Sequence, residues 1–111
     1  LFDLAYKEQP KPIKNKQPDI HKVCLADIKH EPSNVVMQAR QNLGNDKYGE
    51  PLQPFNGRDF LADAIQEAAD LCVYLRGLCL EEPSAANRDN YQAALDLLEI
   101  LSTKAQRQLD E

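Results

Sequence analysis

The sequence lacks most of the features that would assign it a chemistry at sight. Its three cysteines, Cys24, Cys72 and Cys79, are odd in number and contain no CxxC pair, so they give neither a full set of disulfides nor the usual spacing of a zinc site. The two histidines, His21 and His30, have no second His or Cys at ligand spacing, which places them on the surface rather than on a metal. No apolar run approaches the roughly 20 residues of a membrane span. Leu1-Phe2-Asp3-Leu4 lacks the basic and then hydrophobic order of a secretory signal, and the first residue is Leu, as in a processed or trimmed chain. Cationic excess is missing too: a net charge of −5 argues against a general phosphate-backbone binder. Neither nucleic acid nor membrane is therefore expected as a partner. No period-two strand pattern and no long repeat occurs, so the chain reads as all-α.

What is present is helical periodicity. With 111 residues the chain fits one domain, and a core of that size buries roughly 65% of the surface of the unfolded chain. Residues 1 to 18 hold Pro10, Pro12 and Pro18 among Lys7, Lys11, Lys14 and Lys16 and read as an extended arm. Asp19 can cap a short helix with Ile20, Val23, Cys24 and Ile28 on one face, ending before Pro32. Ser33 offers the next cap, and Val35, Val36, Ala39 and Leu43 give a second helix that Gly44 can stop in a left-handed conformation. From Asn45 to Gly57 the chain reads as a long loop. Lys47 and Tyr48 either face a ligand there or lie on the loop surface, with Leu52 and Phe55 pinning it over the helix ends.

A long helix then runs from about Asp59 to Glu81, capped by Asn56 or Asp59 and closed by Pro83. Leu61, Ala64, Ile65, Ala68, Leu71, Cys72, Leu75, Leu78 and Cys79 form its apolar face. Gly77 inside it lowers helix propensity by roughly 1 kcal/mol relative to Ala, unless a close helix contact needs the space. Ser84 starts a last helix through about Leu109, with Tyr91, Ala94, Leu95, Leu98, Leu101, Ala105 and Leu109 as its stripe. The short turn between the two makes them antiparallel. The fold expected is a small antiparallel helical bundle, and two long stripes on so short a chain predict a homo-oligomer that completes one core. The thiols read as small buried hydrophobes, which suggests a reducing, cytoplasmic compartment.

The long helix also carries Asp59, Asp63, Glu67 and Asp70, a column of carboxylates at spacings of four, four and three. A divalent ion such as Mg²⁺ takes hard oxygen ligands, often one or two carboxylates with substrate phosphates and waters. Glu67 and Asp70 are close enough in the helix to reach one ion, and Asp63 lies one turn earlier. The competing reading is a solvated helix face whose first acids favour the helix dipole. Arg58 reads equally as a phosphate contact or an ion-pair partner, and Arg76 rather as an ion-pair partner.

Glu67-Ala-Ala-Asp70, followed by Leu71-Cys72-Val73-Tyr74-Leu75, resembles the ExxD half of the all-α nucleoside triphosphate pyrophosphatases, the MazG-like proteins. Lys47-Tyr48-Gly49 and Asn56-Gly57-Arg58-Asp59 also resemble segments of small MazG-like proteins of phage and bacterial genomes. The resemblance covers about residues 33 to 82 and would make residues 19 to 111 a MazG-like helical domain. It implies Mg²⁺ held by EExxE on one helix and ExxD on the next, release of pyrophosphate from a nucleoside triphosphate, and a dimer or tetramer. Glu67 and Asp70 would be catalytic, with Asp63 a further metal ligand. Lys47, Tyr48, Arg58, Gln38 and Gln41 would contact the substrate. The helix that should carry EExxE reads Ser33-Asn-Val-Val-Met-Gln-Ala-Arg-Gln-Asn42, with Gln38, Arg40, Gln41 and Asn42 in place of acids. Amides bond a base, sugar or phosphate but supply none of the charge that holds hydrated Mg²⁺. Missing acids would come from Glu31, Asp96, Glu99 or a second subunit. Two functions follow: a Mg²⁺-dependent nucleoside triphosphate pyrophosphohydrolase, or a non-catalytic helical module that binds a nucleotide or a protein.

Overall fold

Periodicity and capping residues resolve into five helices among the described residues: α1 (Phe2–Tyr6), α2 (Ile20–Asp27), α3 (Glu31–Tyr48), α4 (Phe60–Glu81) and α5 (Ala85–Leu109). This computed structural model describes residues 1–49 and 51–111, and no strand occurs among them. Glu50, within the predicted loop, lies outside the described residues. No helix among the described residues is long and apolar enough to cross a membrane. The chain divides into two compact units, residues 1–8 with 59–111 and residues 9–58.

In the first unit, α4 and α5 form an antiparallel hairpin. The Asp59 side chain caps α4 by accepting from the Ala62 N–H, and Ser84 caps α5 by accepting from the Asn87 N–H. The two helices pack on each other, and the fully buried apolar residues on them are Ala62, Ala68, Cys72, Ala94 and Ala105. Small side chains allow close approach of the two helices but bury little apolar area per residue. Of the larger members of the predicted stripes, Leu61, Ile65, Leu75, Leu95, Leu98 and Leu101 are half-buried, while Leu71, Leu78 and Leu109 are exposed, and so is Ala64. α1 packs on α4, and the Gln66 Nε2 donates to the carbonyls of Leu4 and Lys7 at 2.8 and 3.0 Å. The extended arm predicted from residue 1 therefore begins with a helical turn, because the first proline stands only at residue 10.

In the second unit, α2 packs on α3. Asp19 caps α2 as its position predicts, accepting from the His21 N–H at 2.9 Å. α3 starts two residues before Ser33 and runs past Gly44 to Tyr48. Pro32 lies in the first turn, where its missing N–H costs nothing. Gly49, at φ 71, takes the left-handed position expected of Gly44. Gly44 instead lies under the His21 ring, 3.6 Å from where its Cβ would stand. His21 is consequently tucked against α3 and not on the surface, with its side chain only 16% exposed.

The proline-rich segment and the segment before α4 are joined by polar groups. Gln53, 6% exposed, donates through Nε2 to the carbonyls of Asn15 and Gln17 and accepts through Oε1 from the Asn15 N–H. Asn15 Nδ2 donates in return to the Pro54 and Phe55 carbonyls. The Ile13 N–H donates to the Asn56 carbonyl and the Ile20 N–H to the Leu52 carbonyl, both at 2.9 Å. Phe55 does not pin the loop; it is 87% exposed and sits at φ 58, a left-handed conformation unfavourable for a bulky side chain.

Candidate functional site

The predicted site residues fall into two groups, one in each unit. In residues 9–58, the last turn of α3 supplies Lys47 and Tyr48, and the polar seam described above holds Arg58. The Lys47 Nζ lies 5.2 Å and the Arg58 Cζ 5.6 Å from the centre of the Tyr48 ring, within cation–π range. The Arg58 N–H is accepted by Asn56 Oδ1 at 3.1 Å, and Asn56 is only 1% exposed. Arg58 also donates from its guanidinium to the Pro10 carbonyl at 3.0 Å. Two neighbouring residues of α3 and Arg58, ten positions beyond Tyr48, thus form one cationic and aromatic cluster, able to meet an anionic group with two positive charges.

Gln38 and Gln41 do not join that cluster by any hydrogen bond among the described residues. Gln38 Nε2 donates to Asn34 Oδ1 within α3, and Gln41 Nε2 donates to Asp19 Oδ2, tying α3 to the cap of α2. Their amides serve the fold. The N-terminal cap of α4 is likewise structural: Asp59 accepts from the Ala62 N–H and pairs with Lys7 Nζ at 3.0 Å. The Ala62 N–H first, and then Lys7, hold the Asp59 carboxyl below its ordinary pKa, against a smaller opposing effect of burial.

In residues 59–111, Glu67 and Asp70 are exposed on α4, and neither makes a hydrogen bond or ion pair among the described residues. Asp63 is half-buried and engaged. No group of three His, Cys, Asp or Glu side chains able to hold a metal ion forms among the described residues. Glu67 and Asp70 would hold a hydrated Mg²⁺ only with oxygens from a substrate or a second chain. The three thiols are free, with Cys72 buried against α5 and Cys24 and Cys79 half-buried. Arg76, the other cation weighed as a phosphate contact, lies over the Tyr91 ring at 5.7 Å.

Sequence reasoning missed Gln53 and Asn15. Amides in a proline-rich stretch have no periodicity that would mark them as buried, although the reciprocal pairing of Asn15 with the Gln53–Phe55 segment dominates the second unit. The chain matches no protein-family model, no curated protein and no solved structure.

Proposed function

We propose that this chain is a helical interaction module that works as a homo-oligomer. One observation carries the reading: among the described residues of the five helices the buried apolar side chains are alanines and one cysteine, while Val35, Val36, Leu43, Leu71, Val73, Leu80, Leu97 and Ile100 are all exposed. Apolar area left in water is the main reserve of association free energy, at roughly 25 cal/mol per Å². Light scattering on the purified chain tests it. A molar mass of at least twice 12.6 kDa is expected at micromolar concentration, and a constant monomer mass would reject it. Three free thiols fit a reducing compartment such as the cytoplasm.

A second reading, favoured by the gathering of Lys47 and Arg58 on Tyr48, is nucleotide handling. The cationic cluster of residues 9–58 would receive phosphates, and the open pair Glu67 and Asp70 of residues 59–111 is a separate candidate for Mg²⁺. In a catalytic version Glu67 and Asp70 would hold such an ion, which would supply Lewis-acid activation of a water for release of pyrophosphate from a nucleoside triphosphate. A nucleotide panel with Mg²⁺, recording binding and pyrophosphate release together, tests this reading. Glu67→Gln should abolish release, and undiminished turnover in that variant would remove Glu67 from the chemistry. Thermal stabilisation by a nucleotide without product would select the non-catalytic form.

A further inference from the structure

A groove at the turn of the α4–α5 hairpin holds two arginines that the fold leaves without a counter-charge. It measures about 520 Å³ and is lined chiefly by Arg76, Cys79, Pro83, Ser84, Arg88 and Tyr91, within the roughly 300–1,000 Å³ of small-molecule sites. Arg76 lies over the Tyr91 ring at 5.7 Å, a cation–π contact that consumes none of its N–H donors. Neither Arg76 nor Arg88 makes a side-chain hydrogen bond or an ion pair among the described residues. The spacing explains why: the positions three and four residues before and after each of them, where a helix places ion-pair partners, hold no Asp or Glu. Arg88 is also the fourth residue of α5, and no acid stands in the first turn of that helix. A cation there is disfavoured by the positive end of the helix dipole, and an anion in the groove would relieve both charges.

We propose that this groove binds the phosphate group of a small phosphate ester. Guanidinium groups present paired donors that fit an oxyanion bidentately, and the amino end of α5 adds its own partial positive charge. A dianion matches two cations, where a monocarboxylate would leave one uncompensated. Cys79 and Pro83 give the groove an apolar wall for the rest of the ester. The acids at this end of the hairpin are Glu81, Glu82 and Asp89, all exposed. None of them lines the groove or pairs with either arginine. They weaken the attraction felt at a distance, which salt screens in any case, and leave the direct bonds to the guanidinium groups intact. The site lies wholly within residues 59–111 and uses neither the Lys47, Tyr48 and Arg58 cluster nor the Glu67 and Asp70 pair, so it stands apart from both readings above.

Titration of the full chain with phenyl phosphate and with inorganic phosphate tests it, at constant ionic strength and about pH 7, where the phosphate is mostly dianionic. The guanidinium N–H resonances of Arg76 and Arg88 report binding. Both should move in a saturable way, with a Kd of about 1 mM or below for phenyl phosphate and severalfold weaker binding of inorganic phosphate. Arg76→Gln and Arg88→Gln should each weaken binding about tenfold, whereas Arg107→Gln, exposed in the last turn of α5, should leave it unchanged. All three should keep the helical circular dichroism, because the three side chains are exposed. Glu82→Gln should tighten binding. No saturable shift up to about 20 mM, a response no larger than that to chloride, or equal losses in the three arginine variants would overturn the site. Equal affinity for the two phosphates would overturn the assignment to an ester, and weaker binding by Glu82→Gln the assignment to an anion.

Discussion

The two units of the chain are held together in opposite ways. Residues 1–8 and 59–111 rely on long helices whose fully buried apolar side chains are small, among them Ala68 and Cys72 on α4 and Ala94 and Ala105 on α5. Residues 9–58 place two amides, Gln53 and Asn56, at their most buried polar positions, and Gln53 stitches two irregular segments together through backbone groups. A hairpin built on small side chains leaves larger ones free to meet a partner. A polar seam gains little from burial but fixes backbone geometry, and here it fixes Arg58 beside Tyr48.

The contrast breaks most sharply at Gln53. Gln53→Ala would leave the Asn15 N–H and the Asn15 and Gln17 carbonyls without their partner, and the cost should be about 3 kcal/mol, since buried polar groups left unpaired lose their full desolvation free energy. Urea unfolding measures it, and a loss under about 0.5 kcal/mol would show that the amide does not hold the seam. In the other unit the vulnerable property is size. Ala94→Leu forces a larger side chain between α4 and α5 and should cost about 1–3 kcal/mol, read by the same denaturation; an unchanged midpoint would mean that the helices are not closely packed there.

Asp59 offers a smaller and pH-dependent effect. Asp59→Ala removes the cap of α4 and should cost about 1 kcal/mol at neutral pH. Because the folded carboxyl titrates below its unfolded value, its contribution is present in full above the ordinary carboxylate range and is lost as pH falls through the lower folded value. The stability difference between wild type and Asp59→Ala should therefore shrink as pH falls below about 4. A difference that grows with acid would reverse the assignment. The smallest effect is expected at Phe55, where Asn tolerates the left-handed backbone better. Phe55→Asn should raise stability by about 0.5–1 kcal/mol, and a lower melting temperature would show that the exposed ring has a contact of its own.

These differences also explain what could be read in the sequence. The caps Asp19, Asp59 and Ser84 and the spans of α4 and α5 follow from local chemistry and periodicity, and so does the all-α class. Gly44 misled because glycine ends a helix only where the chain must turn left-handed, and here the chain turns at Gly49. The apolar stripe of α4 identified a face but not how far it is covered: periodicity placed Leu71 and Leu78 on it, yet these stay exposed while Leu61, Ile65 and Leu75 are half-buried. At the candidate site, the cluster of Lys47, Tyr48 and Arg58 was legible as separate residues. Its assembly was not, because it depends on Asn56, which accepts from the Arg58 N–H, and on the seam around Gln53, whose bond to Asn15 joins residues 38 apart without a repeating spacing.

The central claim is that the single chain leaves its core incomplete and that a second copy completes it. Its most direct test is the thermal midpoint as a function of protein concentration. Folding linked to association must shift the midpoint upward as the chain is concentrated from about 1 to 100 µM. A midpoint that stays constant over that range would contradict the account.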